Sequence, residues 1–588
     1  MPELTTASTG VESLTPYAEA GVLEAADVQV AAALTRLIAE PQHPDVVLAV
    51  AMAVRAVRHG SVCLELDRVA ESVGVEDADE ETLARLEALA WPEVGAWCQR
   101  LTDSSLVATA NATGIAGGTG GVYPLRLEQG LLYLDRYWRQ ERLIAEFVDR
   151  RASAVENVDE HALSVALQRL FPDERDERQR AAASTATRSW NSVVAGGPGT
   201  GKTTTVAKLL AVLCAQPGPA PRIALAAPTG KAAARLSEAV LATIATLDEV
   251  DRAVVTAPQA TTIHRLLGWV PSRNRFRHNQ SHRLPYDVVV IDEASMVSMT
   301  LMARLVEALR PDTRLVLVGD PDQLASVDAG AVLRDLTERS TMVDHVVTLS
   351  RVHRFAGEIH ELASGIRQGN ADRVMDVLRN GNEVVLTAPE EAAAVREELV
   401  MTGRAAAAAA TTGDAMGALE ALERHRVLCA HREGPYGVTR WSMLADDWLR
   451  EDDPEHPRFG LWYPGRPLMV TSNDRELGLF NGDTGVVVAS GGRLVAAFRF
   501  GDEAREIAIN RLSDVVTVNA MSIHKSQGSQ FDAVTVVLPD PTSPLLTREL
   551  LYTAVTRAKE RVRIVGTEAA VRAAVDRRIQ RASGLQRA

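Results

Sequence analysis

The spacing of apolar and polar residues changes character along the chain. Up to about residue 150, DVQVAAALTRLI and PDVVLAVAMAVRAV place apolar residues at helical intervals, which predicts a mostly helical N-terminal domain over 1–150. A glycine-rich break, TGIAGGTGG at 113–121, precedes LLYLDRYWRQERLIAEFV, which reads as a short strand leading into an amphipathic helix. From about 175 the texture becomes short β-branched runs, each closed by a turn: SVVAGG, RIALAAPTG, DVVVIDEAS, RLVLVGDPDQ and HVVTLS. Continuous apolar runs of that length are the mark of parallel strands covered on both faces, so the fold class is α/β. RAAAAAATTGD at 404–414 is low in complexity and suits either a helix or a loose connector. Over 462–518 the runs shorten and alternate between Asn-Gly, Gly-Asp and Gly-Gly turns, which predicts a small antiparallel barrel inserted in the α/β frame. TVNAMSIHKSQG, DAVTVVLP and RVRIVG then resume the buried-strand pattern.

Composition changes this picture little: 46% hydrophobic and 24% charged residues describe an ordinary globular chain of several domains. No N-terminal signal pattern or apolar run of membrane-spanning length occurs, and the expected location is cytoplasmic, away from membranes. Cys63, Cys98, Cys214 and Cys429 lie too far apart to suggest a zinc site or a redox dithiol. Charge is more informative. The net −14 is concentrated at the front: residues 1–150 carry 11 Lys and Arg against 23 Asp and Glu, leaving 52 against 54 in the remainder. A near-neutral remainder can hold a local basic channel, whereas the acidic front is suited to meet a protein. The chain has only five lysines (Lys202, Lys208, Lys231, Lys525 and Lys559), and four of them fall in the motifs below.

GGPGTGKT at 196–203 follows the strand NSVVA and opens the helix TTTVAKLLAVL. In that context Gly196, Gly197, Pro198, Gly199, Thr200 and Gly201 form a loop whose N–H groups converge on a nucleotide's phosphates. Lys202 then reaches the β and γ oxygens, the Thr203 hydroxyl ligates Mg²⁺, and Thr204 continues the cradle. About ninety residues on, VVVIDEAS ends a strand with Asp292, placed to hold Mg²⁺, and Glu293, placed to orient or deprotonate the attacking water. The cofactors expected are ATP and Mg²⁺. LVLVGDPDQLASVDAG supplies Gln323, a sensor for the γ-phosphate, after Gly319 and Asp320. Arg354 in LSRVHRF and Arg557 in LLYTAVTRAK are placed to clamp that phosphate from a second lobe.

Taken in order, GGPGTGKTTT, AAPTGKAAARLSE, VVVIDEASM, LVLVGDPDQLASVDAG, AMSIHKSQGSQFD and LYTAVTRAK resemble the successive motifs of superfamily 1 helicases. Their wording is similar to the RecD branch, the alpha subunits of exodeoxyribonuclease V. HPDVVLAVAMAV, LYLDRYWRQE, LCAHREGPYGV and GRPLMVTSNDRELGLFNGDTGVV extend the likeness to nearly the whole chain. The resemblance implies two RecA-like lobes, over 151–345 and over 346–461 with 519–588, interrupted by an SH3-like barrel at 462–518. It assigns Gln179 to reading adenine, and Thr229, Lys231, His264, His524, Lys525 and Gln527 to a DNA track. It also implies a 5′→3′ single-stranded DNA translocase and helicase that works with RecB- and RecC-like subunits on duplex ends during double-strand break repair.

No acidic residue stands two positions before any of the five lysines, so the common divalent-metal nuclease constellation is missing and cutting is expected in a partner. No helix-hairpin-helix extension precedes the motor, unlike the relatives that work alone. Two alternatives compete with the motor-subunit reading. One is a stand-alone 5′→3′ helicase; the other is a regulatory subunit that binds ATP and translocates little.

Overall fold

The computed structural model describes residues 11–36, 42–75, 80–109, 123–152, 158–255, 258–351, 357–391, 393–453, 462–474, 476–501 and 503–587. The glycine-rich break at 113–121 therefore lies outside the described residues, as does Arg354.

The two N-terminal helices predicted from spacing run over Ala25–Thr35 and Pro44–Arg58. Pro44 sits in the first turn of the second, where its missing N–H costs nothing. The domain is not purely helical, however. A four-stranded sheet, in the order β1-β4-β3-β2, is built from β1 (Leu64–Glu65), β2 (Val107–Thr109), β3 (Leu125–Glu128) and β4 (Leu131–Leu134). Gln129 and Gly130, with φ of 49° and 78°, make the two-residue turn between β3 and β4. The helix Asp135–Asp149 departs from the expected boundary at 150: Ile144, Ala145 and Val148 bury with the next lobe's core. Its apolar face covers the following sheet, and that is why it folds with it.

The first large sheet is parallel, in the order β12-β5-β11-β10-β6-β7, from β5 (Asn191–Gly196), β6 (Ile223–Ala227), β7 (Thr261–Thr262), β10 (Val288–Ile291), β11 (Arg314–Gly319) and β12 (Val346–Leu349). A two-stranded hairpin, β8 (Trp269–Val270) with β9 (Arg275–Phe276), projects between β7 and β10. Alternate residues of the central strands feed two separate cores. Val194, Val290 and Val318 face the helices Glu177–Arg188, Lys202–Cys214 and Gly230–Ala245, while Val193, Ile291 and Leu317 face Met299–Ala308 and Asp135–Asp149. Because β12 pairs in parallel with β5, this lobe runs to Leu349, past the boundary expected at 345; HVVTLS was assigned to the wrong lobe because pairing is non-local.

The second parallel sheet has the order β13-β22-β21-β14-β20, from β13 (Val384–Thr387), β14 (His425–Cys429), β20 (Ala520–Ser522), β21 (Phe531–Val537) and β22 (Ala558–Val565). Between β14 and β20 stands an insertion, an antiparallel five-stranded sheet ordered β18-β17-β16-β15-β19; where a closed barrel was expected, its edge strands β18 and β19 do not pair with each other. Its strands are β15 (Pro467–Val470), β16 (Thr484–Ser490), β17 (Arg493–Phe500), β18 (Glu503–Ala508) and β19 (Val515–Thr517). The alanine run at 404–411 is part of the helix Ala393–Thr411, not a loose connector. Ala406 and Ala410 are buried against Val486, Val488 and Ala497 of that sheet, an approach that only small side chains permit.

The final segment leaves lobe 2 and runs back across the molecule. Arg577 is held in lobe 2, donating to the carbonyls of Ser543 and Pro541. Five residues later the Ala582 carbonyl accepts from Val62 N at 2.8 Å in the N-terminal domain. Leu585 is fully buried in the first lobe's core, and Arg339 donates to the carbonyls of Leu585 and Arg587 at 2.7 and 2.8 Å. Among the described residues, no helix is long and apolar enough to cross a membrane.

Candidate functional site

The strand β5, the loop 197–201 and the helix Lys202–Cys214 follow without interruption. Gly199 and Gly201 adopt φ of 78° and 81°, conformations a side chain would strain. Gly201 is the helix N-cap and offers no side-chain acceptor, so the first N–H groups of the helix stay open to an anion. A Cβ on Gly196 would meet Thr200 Oγ1 at 2.6 Å, and one on Gly197 would meet the Tyr552 phenol oxygen at 2.8 Å. Lys202 Nζ donates to the carbonyls of Gly196 and Gly197 at 2.7 and 3.0 Å, within the loop it is expected to serve.

Asp292 follows the fully buried end of β10 and is itself buried. Its Oδ1 accepts from Glu293 N at 2.9 Å. Burial and the adjacent Glu293 push the Asp292 carboxyl upward, while Lys202 pulls it back. Glu293 takes a left-handed backbone conformation, φ 49° and ψ 40°, rare for a glutamate and common where a site dictates geometry. Lys202, Thr203, Asp292, Glu293, Gln323 and Arg557 line one cavity of about 350 Å³ between the lobes. Pro198, Gly199, Gly201 and Thr204 complete its phosphate-loop wall, whereas Gly197 and Thr200 border a smaller cavity beside Tyr552.

Each lobe contributes differently. Gln323 Nε2 donates to Asp320 Oδ2 at 3.0 Å, and burial lifts the Asp320 carboxyl to about 6 against the pull of Lys202. Arg557 comes from lobe 2, immediately after the helix Arg548–Val555, and is almost fully buried. Its Nε donates to the Thr553 carbonyl at 3.0 Å. Burial lowers its guanidinium, and the nearby Glu293 and Asp320 hold it charged. Gln179 is buried on the helix Glu177–Arg188 and is not part of this cavity wall. Two polar wall residues escaped the sequence reading: Arg235, four positions after Lys231 on the same helix, and Gln530, just past the IHKSQG stretch.

Of the six candidate DNA residues, Lys231 and Gln527 make hydrogen bonds across the lobes. Thr229 caps the helix Gly230–Ala245, its hydroxyl accepting from Ala232 N at 3.2 Å. Lys231 Nζ crosses to lobe 2, donating to Gly482 O at 3.1 Å and Ser529 Oγ at 2.8 Å; burial lowers it to about 8. Gln527 likewise crosses, donating to Leu324 O at 3.0 Å. His264 lies against Trp269 and Phe276 of the hairpin, with ring centroids 6.2 and 5.7 Å away, and burial lowers its imidazole. His524 and Lys525 are lowered by burial and by neighbouring Arg432. The sequence reading passed over the hairpin, although 258–286 holds five arginines and no acidic residue. A basic run of that kind suits a polyanion.

The family model for the RecBCD enzyme subunit RecD, N-terminal domain, matches residues 19–133. An AAA domain model matches 174–389, and the UvrD-like helicase C-terminal domain matches 517–565. The chain is 50% identical to the RecBCD enzyme subunit RecD of Mycolicibacterium smegmatis, covering 97% of this chain and 98% of that one. It is 33% identical to the ATP-dependent RecD2 DNA helicase of Deinococcus radiodurans, over 64% of this chain and 47% of the relative. A solved Pif1 helicase at forked duplex DNA shares 18% identity with a TM-score of 0.39, covering 67% of this chain and 93% of that one.

Proposed function

The chain belongs to the RecD family of RecBCD enzyme subunits, and from that premise we propose that it is the 5′→3′ motor of a helicase–nuclease acting on broken DNA ends. It is an ATP-dependent DNA helicase. The observation that carries the rest is the shared cavity, in which Lys202, Asp292, Glu293 and Gln323 of lobe 1 face Arg557 of lobe 2. Lys202 and the loop hold the β and γ phosphates, Glu293 orients the attacking water, Gln323 senses the γ-phosphate, and Arg557 stabilises charge as that phosphate departs. Arg354 is its partner finger, and Gln179 reads the base. Thr203 and Asp292 offer hard oxygen donors on one wall, a set that fits Mg²⁺ carried in with the nucleotide. When bound, that ion neutralises phosphate charge; every positioning group named here belongs to the chain.

DNA contacts fall to Thr229, Lys231, His264, His524, Lys525 and Gln527, with the basic hairpin supplying the sequence-independent attraction. The inserted sheet is the SH3-like module of lobe 2, and the acidic N-terminal domain docks on RecB- and RecC-like partners. The likeness extends over 98% of the M. smegmatis subunit at 50% identity, against 47% of the Deinococcus helicase at 33%, and this favours the complexed type over the stand-alone one.

The test is unwinding of duplexes bearing a single 5′ or 3′ tail by the chain assembled with its partner subunits, with Lys202→Gln as control. The expected result is unwinding of the 5′-tailed substrate only, abolished by the substitution. Preference for the 3′ tail would overturn the assigned direction. Robust unwinding by the chain alone would favour the stand-alone reading.

A further inference from the structure

Asp320 closes β11 and is 2% exposed, and among the described residues it makes no ion pair. Its partners are neutral donors instead. Oδ1 accepts from Asp322 N at 3.1 Å, and Oδ2 accepts from Gln323 Nε2 at 3.0 Å. The phenol of Tyr552 faces the same carboxyl group from lobe 2, and Asp320 Oδ2 lies 3.8 Å from the point a Cβ on Gly197 would occupy. That same phenol oxygen stands 2.8 Å from the point a Cβ on Gly197 would occupy, so it touches the phosphate loop as well. Tyr552 itself is 4% exposed on the helix Arg548–Val555, and its neighbour Thr553 makes two further connections: Oγ1 accepts from Leu324 N at 2.9 Å, and the carbonyl accepts from Arg557 Nε.

We infer that Asp320 and Tyr552 form a positioning pair that couples the state of Gln323 to lobe 2. Gln323 has two amide N–H groups, and donation of one to Asp320 fixes the plane in which the other is presented. Tyr552 fixes Asp320 in turn, so the orientation of the γ-phosphate sensor depends on whether the helix carrying Arg557 is seated. Hydrogen bonds from uncharged donors suit this task, because they are exchanged at modest cost while a buried ion pair resists separation. Loss of the γ-phosphate frees Gln323, loosens Asp320 and releases Tyr552 together with its helix. The cross-lobe bonds at Leu324 lie on the same seam and break with it. Glycine at position 197 is explained by this pair, since a methyl group there would displace the phenol.

The inference rests on Gln323 acting as the γ-phosphate sensor, and the experiment separates the two claims. Steady-state ATP hydrolysis is measured with saturating single-stranded DNA for the full-length chain carrying Tyr552→Phe, Gln323→Ala, or both. Phenylalanine keeps the ring packing and removes only the hydroxyl. The expected result is a fall in kcat of about 10-fold for Tyr552→Phe, the size of losing one hydrogen bond to a charged group. KM for ATP stays within about 2-fold, and the double variant is no slower than Gln323→Ala alone, the non-additivity of residues on one path. A Gln323→Ala protein at full speed would overturn the sensor and the pair together. With Gln323→Ala slow, a wild-type rate for Tyr552→Phe, a rise in KM in place of the fall in kcat, or losses that multiply in the double variant would overturn the pair alone.

Discussion

The two parallel sheets are built alike and used differently. On the proposed reading, lobe 1 holds the nucleotide with a glycine loop, a helix terminus and two carboxyl groups that follow one strand, all fixed by its own core. Lobe 2 has the same alternation of buried strands and covering helices, and a loop with Gly434 and Gly437 leads from β14 into the helix Val438–Asp452, but that loop does not line the cavity. Its contribution to the cavity is made of side chains, above all Arg557, carried on an element that reaches lobe 1 through a few hydrogen bonds. One lobe is therefore a preformed receptacle, and the other completes it only when seated. A motor needs this asymmetry, because two equally rigid halves would bind ATP without converting its loss into motion.

The sharpest test of the comparison is Arg557→Ala. Removing a finger supplied by the second lobe should cost on the order of 10³-fold or more in kcat. Nucleotide affinity, measured by fluorescence titration, should change only a few-fold; an equal loss of affinity would erase the distinction between the lobes. Next in size is Glu293→Gln on the receptacle itself. It should slow hydrolysis about 10²-fold, with ATP bound at wild-type affinity, as expected for a group that acts on the water. Gly230→Ala probes the seam between them. A Cβ there would come within 2.0 Å of the Phe480 ring, so lobe 2 must back away. DNA-stimulated hydrolysis should drop about 10-fold, and Phe480→Ala in the same chain should restore most of it.

The smallest expected effect concerns stability. The tail residue Gln586 donates to Asp335 Oδ1 at 2.9 Å, and burial lifts the Asp335 carboxyl to about 7. Folding then holds a proton that the unfolded chain has released, so stability is full below the usual aspartate range and declines as pH rises toward 7. Asp335→Asn removes that decline. The variant should melt about 3 °C above the parent at pH 8 and level with it at pH 4, in a thermal scan at each pH. A difference that stays constant with pH would show that the carboxyl is ionised throughout.

What could be read from the sequence follows the same divide. A phosphate loop needs contiguous backbone, so GGPGTGKT and the strand before it declare themselves together, as do Asp292 and Glu293 after VVVI. The alternation in 462–518 likewise announced an antiparallel sheet. Contacts made across the chain left no such trace. Tyr552 lies 232 positions from Asp320, and nothing near LLYTAV points to a carboxyl in the other lobe. HVVTLS reads as a buried strand, but only pairing with β5 decides which sheet receives it. Arg235 was one arginine among many on a helix, and only the cavity singled it out. Lys231 was read as a phosphate contact from its motif, whereas its ammonium is engaged by Gly482 and Ser529.

The returning tail has a mechanical consequence. Arg577 is fixed to lobe 2 and Ala582 to the N-terminal domain, with four residues between them. Ile579, between them, is also held to lobe 2 by Glu549, so the free tether from Ile579 to Ala582 spans about 10 Å when fully extended. It caps the separation of the two anchors, and so limits how far lobe 2 can move while both hold, whatever the nucleotide demands. The tether also carries load. Any subunit gripping the N-terminal domain is pulled by lobe 2 directly, without the force first passing through the nucleotide cleft.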